Sequence, residues 1–418
     1  MKIKKLYTGL LAFGISASLI FQTPVMAAEE TASEDPSAAS AISTNAISGW
    51  PQGPEITSTA AVVMENSTNT ILYAKNMDQT LYPGSAVKIM TILMALENSS
   101  PQDQVTMTET GVSGATDGGA NIAAQLGEVF TMEQCLYAIM LASANDIAMQ
   151  VAEHISGSIE AFAEKMNARA QELGCTNTVF TNPTGLTDEN QHITAHDMAL
   201  IMQAALNNST FRTIASAASY TIPATNVSGG ERVLTNNFAL LNASDASYYQ
   251  GCLGGKEGYT DASASTLTCA AERNGMTLIA VVLQGASGQT APEAITIMDY
   301  GFGNFQKLTL GENDFNLASG GEVIVPAGAG EDSLTTEDTP ADNQINRQYL
   351  FSGTPVGTAV MLATQEQDNS IFVNSEKNMK AAQDFTAGKS IIPYYLIGGA
   401  GVLLFILLIL WMRKIIKA

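Results

Sequence analysis

Positive charge is scarce in this chain. Nineteen Lys and Arg stand against 40 Asp and Glu, giving a formal net charge of −21. Such a surface repels a phosphate backbone, which argues against nucleic acid as a partner. Histidine is rarer still, with three residues in all. His192 and His196 have the four-residue spacing of a metal pair on a helix. No glutamate completes an HExxH arrangement, however, and His196 fits a helix start better, so a metal pair is not expected here. Charged residues of both signs make up only 14% of the chain, against 46% hydrophobic residues. That balance excludes wholesale disorder and fits a folded protein carrying added apolar segments. No internal repeat is visible, and 418 residues leave room for two domains and a large core.

Both ends carry apolar runs. Met1-Lys2-Ile3-Lys4-Lys5 is a basic start, Leu10 to Phe21 is a short apolar stretch, and Val25-Met26-Ala27 offers small residues for cleavage before Ala28. This pattern predicts a signal peptide over 1–27. At the far end, 391–412 is apolar throughout and has the length needed to span a bilayer. Arg413, Lys414 and Lys417 follow at once, so 413–418 is expected on the cytoplasmic side. The expected layout is an extracytoplasmic body held on the cytoplasmic membrane by its C-terminal tail.

Between the ends, 28–48 reads as a flexible leader and 364–390 as a polar stalk. Ala60–Met64 and Thr70–Ala74 flank a turn-forming stretch and predict a β-hairpin. Pro83-Gly84 then delivers Ser85 to the first turn of an apolar helix running to about Glu97. From Thr131 to His154 helical spacing continues on both sides of Ser143-Ala144-Asn145. This predicts two helices holding a polar tripeptide between them, or a break in one long helix. Further helices are expected over Glu160–Leu173 and from a capping box at Thr194 to about Leu206. Strand-like runs follow at Cys252–Gly258, Ser265–Ala271 and Leu278–Leu283. The order predicts a mixed α+β domain with an antiparallel sheet over 49–305. A small β-rich domain is expected over 306–363, with Glu331–Asp342 read as one of its loops.

The chemistry centres on Ser85 and Lys88. Residues three apart share a helix face, so Lys88 sits one turn behind the Ser85 hydroxyl. A serine becomes a strong nucleophile when a nearby base takes its proton. A lysine can be that base if burial and neighbouring cations lower its pKa. Two further groups match by type, Ser143-Ala144-Asn145 and Lys256-Glu257-Gly258. A lone Ser-x-x-Lys occurs by chance about once in a chain of this size, so order and spacing carry the argument.

Ser-x-x-Lys, then Ser-x-Asn, then Lys-x-Gly resembles the three-part signature of penicillin-binding proteins and serine β-lactamases. Residues 61–307 are similar to the D-alanyl-D-alanine carboxypeptidases of low molecular mass. Leu141–Asp146, Asn182-Pro183-Thr184-Gly185-Leu186, His196–Leu200 and Gly258–Asp261 support that resemblance. It implies the transpeptidase-like fold of penicillin-binding proteins, with peptidoglycan stem peptides as substrate, β-lactams as covalent inhibitors and no need of a metal or cofactor. It also implies roles: Ser85 as nucleophile, Lys88 as its base, and Ser143 as proton relay to the leaving amine. Asn145 would hold the peptide backbone, and Ser85 and Tyr259 N–H groups would form an oxyanion hole. Lys256 would keep the site electropositive. A class A β-lactamase needs a deacylating Glu after Ser-x-Asn; Asp188 and Glu189 lie in that region, but the phrase around them resembles the carboxypeptidases.

The departure from the pattern is Glu257, where the family usually has Thr. An ionised Glu there would repel a substrate carboxylate, which leaves a catalytically weak, wall-binding or regulatory paralogue as the alternative function. Export also makes disulfides possible. Cys252 and Cys269 flank a turn centred near Asp261, and counting outward predicts a bridge between them.

Overall fold

Runs of small, β-branched and aromatic side chains open the fold, Ala60–Glu65 as β1 and Ile71–Lys75 as β2. The computed structural model describes residues 42–115, 119–311 and 316–362. The signal peptide, stalk and C-terminal apolar segment anticipated from sequence lie outside these residues. Among the described residues no helix is long and apolar enough to cross a membrane.

After β2 comes α1 (Val87–Asn98), entered through a single 3-10 turn at Gly84–Ala86. A two-stranded ribbon of β3 (Gln104–Thr106) and β4 (Val129–Thr131) brackets the short α2 (Glu109–Ser113). The helical layer continues with α3 (Met132–Leu141), α4 (Asn145–Ser156), α5 (Ile159–Glu172), α6 (Ala195–Leu206) and α7 (Ser209–Ser216). A second ribbon, β5 (Ser219–Ile222) with β6 (Arg232–Thr235), precedes the long strands β7 (Cys252–Thr260), β8 (Ala264–Arg273) and β9 (Met276–Gly285). Helix α8 (Thr290–Asn304) closes this part.

The main sheet has the order β2-β1-β9-β8-β7 and is antiparallel throughout, with β7 on an open edge. Alternate side chains of a strand point to opposite faces. Accordingly Val62, Met64, Ile279 and Val281 join the core under α1, α3, α4 and α6. Ala61, Val63, Leu278 and Val282 join the core that includes Ile297 and Met298 of α8. Each large side chain buried this way contributes about 1.5–3 kcal/mol. Helix α1 is buried from Val87 through Ala95, which explains its apolar sequence on every face.

Strands β10 (Phe305–Thr309), β11 (Leu317–Pro326), β12 (Leu334–Ala341), β13 (Gln344–Phe351) and β14 (Thr354–Leu362) form a second sheet, in the order β10-β11-β14-β13-β12. Trp50 joins the two sheets: its indole N–H donates to the Leu72 carbonyl at 2.9 Å, and its ring lies 5.0 Å from Phe305 and 6.0 Å from Phe351. Lys307 adds ion pairs to Glu322 at 3.1 Å and to the buried Glu65 at 3.5 Å.

Four expectations need correction. The leader is ordered at its end: Ile42 bridges to Lys75, Ser43–Ala46 form a 3-10 turn, and the Ser43 hydroxyl donates to the Ala74 carbonyl at 3.3 Å. Residues 334–341 are strand rather than loop; β12 is an exposed edge, so it lacks the apolar alternation by which a strand is recognised. Asp197 makes only half of a capping box. Its N–H donates to Thr194, while its carboxylate accepts from the N–H groups of Thr176 and Asn177 and the Thr178 hydroxyl.

The Cys252–Cys269 bridge is not formed, and both residues are free thiols. The β7–β8 turn runs from Thr260 to Ala264, and a register shift follows at Cys252/Gly254. Cys252 therefore faces Ala271 while Cys269 faces Gly255, and the Cys269 thiol packs 3.8 Å from the Met298 sulfur.

Candidate active site

Three elements meet in front of the open edge of β7. The first is the turn before α1. Ser85 lies within its 3-10 segment and Lys88 in the first turn of the helix. Lys88 Nζ lies 3.2 Å from Ser85 Oγ and donates to the Thr184 carbonyl at 2.7 Å. Lys88 is 1% exposed. Burial first, and the charge of Lys256 second, hold its ammonium well below the usual lysine range.

The second element is the break between α3 and α4. Ser143 sits there with φ +55°, a left-handed conformation that a non-glycine residue adopts only when its surroundings enforce it. The enforcement is visible. The Ala144 N–H donates to the Ala138 carbonyl at 3.2 Å and the Asn145 N–H to the Ala120 carbonyl at 2.8 Å. Asp146, fully buried, accepts from the N–H groups of Ile122, Ala124 and Ile147. Thus pinned, Ser143 aims its hydroxyl at Ser85 Oγ, 3.2 Å away, and Asn145 lines the same cleft.

The third element is β7 itself. Lys256 is buried, and burial lowers its pKa to about 8 although Glu257 acts in the opposite direction. Gly258 backs directly onto the nucleophile: a methyl group there would overlap the Ser85 nitrogen. The Thr260 N–H donates to Ser263 Oγ at 3.0 Å, inside the β7–β8 turn. Because peptide groups alternate sides along a strand, the Tyr259 N–H points away from β8, to the free edge of β7. Glu257 is exposed and accepts a long bond, 3.4 Å, from the Ala239 N–H.

Sequence reasoning used the phrase 182–186 only as a likeness, yet it supports Lys88 directly. Asn182 Oδ1 accepts from the Thr184 N–H, the Thr184 hydroxyl and the Gly185 N–H at 2.9–3.1 Å. Its amide donates to the Leu186 carbonyl at 3.1 Å. Gln191 ties the same loop through Thr181, Asn182 and Leu186. Gly185, with φ +83°, leaves no room for a Cβ against the Gly84 carbonyl, so the loop abuts the nucleophile turn. The pattern Asn-x-Thr-Gly, an Asn able to turn back on its own backbone, was the available signal.

The remaining candidates fall outside this cluster. Cys252 and Cys269 lie deeper in β7 and β8 and contribute nothing to the cleft. His196 Nδ1 lies 3.6 Å from Asp78, and among the described residues no group of His, Cys, Asp or Glu is arranged to hold a metal ion. A hydroxyl flanked by a desolvated amine and a second hydroxyl, beside the free edge of β7, suits acyl transfer.

Known proteins resemble this chain across the same residues. The family model of D-alanyl-D-alanine carboxypeptidases matches residues 48–287. The chain is 34% identical to the D-alanyl-D-alanine carboxypeptidase DacF of Bacillus subtilis over 59% of its own length and 62% of that protein's. It is 31% identical to DacB2 of Mycobacterium tuberculosis, over 60% of this chain and 84% of the relative. A solved D-alanyl-D-alanine carboxypeptidase from M. tuberculosis superimposes with a TM-score of 0.56 at 28% identity, covering 62% of this chain and 95% of that one. Penicillin-binding protein 5 of Haemophilus influenzae shares the fold with a TM-score of 0.62 at 24% identity, over 75% and 98% of the two chains. From Ser48 to Ser287, across all three elements of the cleft, this chain belongs to the D-alanyl-D-alanine carboxypeptidase family.

Proposed function

We infer that the protein is a serine D,D-peptidase that removes the terminal D-alanine from peptidoglycan stem peptides through an acyl-enzyme. Ser85 Oγ attacks the carbonyl between the two D-alanines as Lys88 takes its proton. The negative oxygen that forms is stabilised by the Ser85 and Tyr259 N–H groups, acting as an oxyanion hole. The C–N bond then breaks, and Ser143 passes a proton to the departing amine. Water attacks the ester carbonyl next, releasing the shortened peptide and returning the proton to Ser85. Asn145 aligns the peptide backbone, and Lys256 keeps Lys88 neutral.

The observation that carries this reading is the pair of 3.2 Å contacts on Ser85 Oγ, from a buried lysine and from Ser143. The same chemistry predicts covalent capture of β-lactams. The pattern of the two termini supports an extracytoplasmic catalytic domain over 49–305, carried on the β-rich domain and stalk and tethered to the membrane by 391–412. The weak-paralogue alternative has only Glu257 in its favour. Release of free D-alanine from a stem pentapeptide, measured beside labelling by a fluorescent penicillin, tests the proposal. Labelling without any release would favour the alternative.

A further inference from the structure

Ser143 marks the side of Ser85 on which the amine departs, if the D,D-peptidase reading holds. That side opens into a cavity of about 320 Å³ whose lining includes Ser143, Asn236, Asn237, Phe238, Lys256 and Glu257. The cavity that holds Ser85 itself continues past Asn145 and Leu186, and Ser143, Lys256 and Glu257 line it as well, so Glu257 borders the nucleophile's own cleft. A departing D-alanine carries its carboxylate one carbon from the amine nitrogen. The carboxylate must therefore lie beside Ser143, against the wall that Glu257 forms.

Glu257 makes no ion pair among the described residues. The cation it acts on is Lys256, the adjacent residue of β7. Glu257 also borders a second cavity of about 540 Å³, whose lining holds Asp245 and several hydroxyls but no Lys or Arg. A leaving group larger than alanine would extend into this space and meet more negative charge.

We propose that Glu257 makes the leaving-group side select amines without a free carboxylate, namely amidated or cationic residues, over a terminal D-alanine acid. The bond broken is the same; the leaving group differs. The substrate class is then stem peptides whose leaving residue is amidated, or is joined onward so that its acid is masked.

The test uses two peptides, diacylated L-lysyl-D-alanyl-D-alanine as the free acid and as its C-terminal amide. Release of D-alanine or D-alaninamide gives kcat/KM for the wild type, Glu257→Gln and Glu257→Thr. Working near pH 6, below the Lys256 value of about 8, keeps that residue charged in all three proteins. The wild type is expected to prefer the amide by about tenfold, and either substitution should shift the ratio toward the acid by about tenfold, which is ~1.4 kcal/mol. An amide-to-acid ratio identical in all three proteins, with both peptides cleaved, overturns the selectivity and leaves the peptidase reading intact. Cleavage of neither peptide by the wild type overturns the peptidase reading, and the selectivity with it.

Discussion

Replacing Asn182 with Ala should separate the support of Lys88 from its chemistry. The Asn182 side chain accepts three hydrogen bonds from Thr184 and Gly185 and donates one to Leu186. Each is worth about 0.5–1.5 kcal/mol net. Water can replace part of this in a half-buried loop, so the expected loss is about 2–4 kcal/mol of stability. The larger effect should fall on the reaction. The Thr184 carbonyl holds Lys88 Nζ at 2.7 Å, and Lys88 in turn stands 3.2 Å from the nucleophile. A drift of about 1 Å in such a group costs on the order of a hundredfold in rate. Urea denaturation measures the first effect, and the rate of acylation by a fluorescent penicillin measures the second. Gln191→Ala, which loosens the same loop from the other side, should show both effects in weaker form. A folded Asn182→Ala protein that is destabilised yet acylated at the wild-type rate would show that the loop does not position Lys88.

Two further outcomes follow from the same geometry. The acylation rate should rise with pH as Lys88 loses its proton, because the base acts only when neutral, and should fall above about pH 8 as Lys256 loses its charge. A flat profile from pH 6 to 10 would contradict the roles given to both lysines. Titration of the unreduced, denatured protein with a thiol reagent should find Cys135, Cys175, Cys252 and Cys269 all free, whereas a protected pair would restore the bridge that the register rules against.

Much of the site was legible in the sequence because its parts are local. Ser85 and Lys88 lie one turn apart, and Ser143 and Asn145 lie in one tripeptide, so spacing alone sets each pair. What brings the pairs together is not local. The left-handed backbone at Ser143 depends on contacts from Ala120, Ile122 and Ala124, 19 to 23 residues upstream. Support for Lys88 comes from a carbonyl 96 residues away. Neither can be read from periodicity. Strand β12 and helix α8 were illegible for opposite reasons. The first is an exposed edge with no apolar alternation, and the second carries Gly301 and Gly303, poor helix formers, of which Gly301 lets α8 pack closely on Leu278. The misplaced cysteine pair shows how a turn centred on Ala262, one residue beyond the expected Asp261, sets Cys269 opposite Gly255 and out of register with Cys252.

The central claim, that Ser85 is the residue acylated, is tested most directly by incubating the protein with benzylpenicillin and mapping the adduct by peptide mass spectrometry. The account predicts one adduct, on the peptide containing Ser85. It also predicts no adduct in a folded Ser85→Ala protein and nearly none in Lys88→Ala, since members of a catalytic unit are lost together. An adduct on any other residue, or undiminished labelling of Ser85→Ala, would contradict it.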